Sequence, residues 1–124
     1  MVGPELDRGP VTDTLRAIQV RTRKSVARAL ARLRREMPTK HRVKVTWIDS
    51  EGCFGSCELR GRGKRRWFDV RLDPKRCAVG EVAIETLLHE WAHCRTWFDL
   101  PMHDHGDLWG VAYAQVYRKF WRTK

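Results

Sequence analysis

The chain has 124 residues, with 25 lysines and arginines against 15 acidic residues and a net charge of +10. That length fits one domain with a single modest core and excludes two. No stretch approaches the roughly 20 uncharged apolar residues of a membrane span, and the N-terminus lacks a signal peptide's apolar run, so a cytoplasmic protein without a membrane partner is expected.

Residues 1–10 carry two prolines and two glycines and read as a flexible lead-in, leaving 11–124 as the domain. Thr12 or Asp13 can cap a helix that runs to about Met37, where Pro38 stops it. Its apolar stripe is Leu15, Ile18, Val26, Ala29/Leu30, Leu33 and Met37, the 3.6-residue spacing of a packed face. The remaining arc is cationic: from Thr14 to Arg35 there are eight basic residues and no acidic one. From Arg42 to Ile48 the sequence alternates, with Val43, Val45 and Trp47 on one side, which is the period of a half-buried strand. Gly52 and Gly55 break the chain, and Ser56 to Leu59 reads as a short strand. A basic loop follows, Arg60-Gly61-Arg62-Gly63-Lys64-Arg65-Arg66, with five charges in seven residues. Trp67 to Leu72 alternates again with Phe68, Val70 and Leu72 inward, and Asp73-Pro74 ends it. These segments predict a small antiparallel sheet of about three strands. A helix is expected from about Gly80 to Phe98, burying Val82, Ile84, Leu87, Leu88 and Trp91. A last helix is expected from Gly106 or Asp107 to about Trp121, burying Leu108, Trp109, Ala112, Val116 and Phe120. The order helix, strands, helix, helix predicts an α+β arrangement with the third-quarter helix packed on the sheet.

That helix carries His89-Glu90-Trp91-Ala92-His93, an H-E-x-x-H run, and another histidine, His105, stands twelve residues beyond. Histidines at i and i+4 lie one turn apart on one helix face, so both rings can reach a single cation. Neutral imidazole suits Zn²⁺, a catalytic zinc takes three protein ligands and a water, and the glutamate between the histidines stands where it can take that water's proton. No glutamate follows Glu90, so a later-helix glutamate is excluded as third ligand. Asp99 stands six residues past His93, but Thr96 occupies the position where that plan needs a turning glycine. His103 and His105 remain, the second at the start of the last helix and followed by Gly106. Tyr113, Tyr117, Arg95 and His103 are candidates to steady an oxyanion, and Glu85, one turn before His89, is a candidate to orient its ring.

Leu87-Leu88-His89-Glu90-Trp91-Ala92-His93, with His105-Gly106-Asp107-Leu108-Trp109 after it, resembles the paired signature of SprT-like metallopeptidases, the group that includes the Spartan proteases. Cys53-Phe54-Gly55-Ser56-Cys57, Gly61-Arg62-Gly63 and Phe68-Asp69-Val70-Arg71-Leu72 are similar to the strands that precede the metal helix there. The resemblance spans residues 40 to 120. It implies a zincin-like fold and a zinc-dependent endopeptidase degrading proteins on, or crosslinked to, DNA. It also implies one Zn²⁺ per chain on His89, His93 and His105, with Glu90 as general base. Bacterial members usually append a zinc ribbon, and no cysteine follows Cys94 here, so the basic surface would have to recruit substrate alone.

Clustered positive charge draws polyanions. The expected partner is DNA, single-stranded or irregular and with little sequence preference, in a monomer associated with the nucleoid. The expected contacts are Arg62, Lys64, Arg65 and Arg66 in the loop and Arg28, Arg32 and Arg35 on the first helix. The alternative is a basic nucleic-acid-binding protein whose metal site is catalytically idle, with Trp67 able to stack an unpaired base beside the loop. In a reducing compartment Cys53, Cys57, Cys77 and Cys94 are expected as small buried thiols. They lack the paired C-x₂-C spacing of a structural zinc site.

Overall fold

In a computed structural model the described residues are 3–49, 52–99 and 105–122, with side chains described from Arg16 onward. They form helix α1 (Gly3–Glu36), strands β1 (Val43–Trp47), β2 (Gly55–Arg60) and β3 (Trp67–Leu72), and helices α2 (Gly80–Thr96) and α3 (Asp107–Arg122). None of these helices is long and apolar enough to cross a membrane. The first helix begins at Gly3, ahead of the expected caps Thr12 and Asp13. Pro4 then stands in the first turn, where a missing N–H leaves no helical bond unmade.

Val26, Ala29, Leu33 and Met37 are buried as the stripe requires, whereas Ile18 is 37% exposed, because the packed part of α1 is its C-terminal half. Three donors from the other helices close that end. Lys119 Nζ donates to Glu36 O at 3.0 Å, Trp91 Nε1 to Met37 O at 2.8 Å and Arg95 to Pro38 O at 2.8 Å. Carbonyls at a helix C-terminus have no partner within the helix and carry its negative dipole end, so cationic and N–H donors from neighbours suit them.

The sheet order is β1-β3-β2, and it is mixed rather than antiparallel. β2 and β3 form an antiparallel hairpin, but β1 lies parallel to β3, Val43 opposite Phe68 and Trp47 opposite Leu72. The chain leaves the top of β1, crosses over the end of β3 and descends as β2 on the far edge, so β3 returns between them. Alternation records which face a strand buries and carries no information on its neighbour's direction. Phe68, Val70 and Leu72 of the central strand are fully buried, with Leu87, Leu88 and Trp91 of α2 in the same core. α2 touches β2 and β3 on one side and α1 and α3 elsewhere, which places it in the middle of the molecule. Leu108, expected inside, is 56% exposed; α3 buries Val116 and Phe120 near its C-terminal end instead.

On the opposite face of β3, Asp69 is buried between two guanidinium groups, Arg60 Nε at 2.6 Å and Arg71 Nε at 3.1 Å. The hairpin beyond is a short 3₁₀ turn, Gly63–Arg65, between Gly61 and Arg66. Gly61 has φ +83°, and a Cβ there would run into the carbonyl of Arg65, so this turn needs glycine.

Candidate metal centre

His89 and His93 sit one turn apart on α2, and His105 arrives just before the first turn of α3. Their ligand nitrogens all lie within 4.8 Å of one another. His105 Nε2 is 3.1 Å from His89 Nε2 and 3.1 Å from His93 Nε2. A ring nitrogen has either one N–H or one lone pair, so it serves one linear hydrogen bond and cannot satisfy both contacts. Three lone pairs aimed at one cation remove the conflict. The edge of a tetrahedron with Zn–N arms of about 2.0–2.1 Å is about 3.3 Å, close to both contacts. The donor set therefore fits a divalent metal. Burial, with His105 nearby, lowers the His89 pKa below the usual imidazole value and favours the neutral form that ligates.

Glu90 is 6% exposed, and its carboxylate stands 3.9 Å from His89 Nε2. Burial raises its pKa to about 7. The helix thus presents two ligands outward and the carboxylate at the cleft wall. An open cleft of about 520 Å³ lies along it, lined by Phe54, Gly55, Val82, Glu85, Thr86, His89, Glu90 and Tyr113. A smaller one of about 210 Å³ adjoins it, bounded by Cys57, His93, Trp97 and His105 and sharing Gly55, His89 and Glu90. Gly55 brings the edge strand close: a Cβ there would lie 2.7 Å from Arg71 O and 2.9 Å from Thr86 Cγ2.

Trp109 forms one wall of the histidine cluster, its ring 4.8 Å from His89, 5.2 Å from His93 and 4.6 Å from His105, centroid to centroid. Tyr113 stacks on it at 5.0 Å and lies 5.8 Å from His89. Both wall residues follow His105 at helical spacing, four and eight positions on, and that spacing was the available signal. The oxyanion candidates now separate. Tyr113 lines the cleft, and burial raises its pKa. Tyr117 is 38% exposed and lies outside the cleft lining, and Arg95 donates to Pro38 O. His103 lies outside the described residues. Asp99 is exposed and outside the ligand cluster, and Glu85 is an exposed residue of the cleft rim.

The expected nucleic-acid contacts divide as well. Arg62, Lys64, Arg65 and Arg66 are all exposed on the β2–β3 turn. Arg28 is exposed, with Ser25 Oγ at 3.4 Å, and Arg35 is exposed beside Glu36 at 3.6 Å. Arg32 is different. Its Nη2 donates to Phe120 O at 2.6 Å, its Nε pairs with Glu36 at 3.1 Å, and its guanidinium carbon sits 4.4 Å from the Phe120 ring centroid. It ties the end of α3 to α1. Trp67 is half-buried under Lys44 Nζ, 4.9 Å from the ring centroid.

Comparison of the chain with protein families, curated proteins and solved structures finds no match.

Proposed function

We propose that the chain is a zinc-dependent endopeptidase of SprT-like, zincin type that acts on proteins held on DNA. The observation carrying this reading is the convergence of His89, His93 and His105 on one point, with Glu90 next to it and an open cleft in front. A Zn²⁺ bound there supplies a Lewis acid and a water acidified toward a pKa of about 7. The rest is the work of the chain's own groups. Glu90 takes a proton from the attacking water and returns it to the leaving amine, a role that needs a carboxylate at the metal's edge without being a ligand. Tyr113, which lines the cleft, would donate its O–H to the developing oxyanion. Trp109 holds the three rings in place and keeps solvent from one side of them. β2 borders the cleft with Gly55 and Cys57 and is an edge of the described sheet, so an extended polypeptide can lie beside it. The exposed turn Arg62–Arg66 begins five residues past Cys57, within about 17 Å of extended chain, which would bring bound DNA near the cleft.

That exposed basic turn also supports the alternative, a nucleic-acid-binding protein with an idle metal site, and Glu90→Gln separates the two. The variant keeps size and polarity but cannot accept the proton, so cleavage of a basic substrate protein in the presence of DNA should fall at least ~10²-fold. Metal content, read by mass spectrometry or atomic absorption, should stay near one zinc per chain, whereas His105→Ala should lose it. No cleavage by the wild-type chain under any DNA or salt condition, with zinc retained, would favour the binding protein.

A further inference from the structure

We propose that Cys57 and Cys94 form a reversible disulfide under peroxide, stapling edge strand β2 to helix α2 at the floor of the cleft. The two thiols come from elements 37 residues apart, yet their sulfurs stand 3.2 Å from each other. Among the described residues this is the one thiol pair in contact: Cys53 is exposed, and Cys77 is buried against Phe54 O at 3.4 Å and Thr86 Oγ1 at 3.6 Å. Access is asymmetric in a useful way. Cys57 is half-buried and lines the smaller cleft, where a small peroxide can reach it, while Cys94 is 2% exposed behind it.

The chemistry balances with hydrogen peroxide as oxidant. The Cys57 sulfur attacks one peroxide oxygen, giving a sulfenic acid and water. The Cys94 sulfur then displaces hydroxide from the sulfenic acid, and its proton leaves with that hydroxide as a second water. Two thiols are oxidised, one peroxide is reduced, and a dithiol reverses the change. Bond formation closes the sulfur gap from 3.2 Å to about 2.05 Å.

The test does not use peptidase activity, so it stands or falls apart from that reading. Take the full chain carrying Cys53→Ser, which removes intermolecular bridging, and add one equivalent of hydrogen peroxide. Then block the remaining thiols and map the peptides. Two of its three thiols should disappear, a Cys57–Cys94 linked peptide should appear, and dithiothreitol should restore both. The thermal midpoint should rise by at least about 5 °C on oxidation, and this rise should be absent in a variant that also carries Cys57→Ser. Cys94→Ala in the same background checks the partner by the mapping alone. Full alkylation of Cys57 and Cys94 after peroxide, a bridge involving Cys77, or an equal thermal shift without Cys57 would overturn the proposal.

Discussion

The molecule has two cationic regions that look alike in the sequence and do different things in the fold. On α1, Arg32 bonds the end of α3, Arg34 Nη2 donates to Val43 O, and Arg23 lies over the Trp47 ring at 5.2 Å. Those three charges hold α1 to α3 and to β1. On the β2–β3 turn, Arg62, Lys64, Arg65 and Arg66 are all exposed and have no ion-pair partner among the described residues. The difference has a geometric cause. Part of the polar arc of α1 meets strand β1 and the end of α3, whose last carbonyls need donors. The hairpin turn projects from the sheet, and its residues 61–66 are all exposed. Density of charge alone therefore does not separate charges that the fold itself uses from those that face solvent.

The sharpest way to break this contrast is to neutralise the turn. Arg62→Ala, Lys64→Ala, Arg65→Ala and Arg66→Ala together should weaken DNA binding by at least ~10²-fold near ~0.1 M salt, and should lower the slope of log K against log salt by up to about 3.6. Denaturant midpoint and zinc content should be unchanged, because no described contact of the fold is lost. DNA-stimulated cleavage should vanish with the affinity. Affinity measured by fluorescence anisotropy that stays within a few-fold of wild type would remove the turn as the anion site.

Arg32 tests the other half of the contrast. Arg32→Met keeps an apolar stem over Phe120 but removes the donors to Phe120 O and the pair with Glu36. The bond is charge-assisted and part-buried, so the loss should be about 2 kcal/mol of unfolding free energy, seen as a lower urea midpoint at unchanged m. DNA affinity should move less than about 2-fold. A stable variant with poor DNA binding would return Arg32 to the surface role expected from its sequence.

The sequence disclosed periodicity and motif, and stopped where the partner is distant. Phe68, Val70 and Leu72 could be placed inward from alternation alone, and His89, Glu90 and His93 from their helical spacing. Elimination leaves both His103 and His105, the resemblance implies His105, and two 3.1 Å contacts set His105 in the cluster. The parallel pairing of β1 with β3 could not be read, because it depends on a crossover over the sheet and leaves each strand's own pattern unchanged. Arg32 and Phe120 are 88 residues apart, and Cys57 and Cys94 are 37 apart. Neither pair leaves a local signature, since what brings them together is the packing of α1 and α3 on α2 and of α2 on β2.

Arg28 is the finest probe of the contrast, because it lies on the helix yet is exposed. It borders a shallow hollow with Ser25, Ala29, Arg32, Ile84 and Phe120, where α1, α2 and α3 meet. The basic turn instead projects from the β2–β3 hairpin. The Arg28 hydrogen bond to Ser25 is long and local, at 3.4 Å, so Arg28→Ala should change stability by no more than about 0.5 kcal/mol. If DNA follows the turn, one charge removed from the helical side acts only through the screened field, with a Debye length of about 10 Å at 0.1 M salt. The expected loss of affinity is then under about 3-fold, with the salt slope nearly unchanged. A direct phosphate contact would instead lower that slope by about 0.9. Such a result for Arg28→Ala, with the fold intact, would mean that the nucleic acid runs across both regions and that the exposed part of α1 belongs to the same surface as the turn.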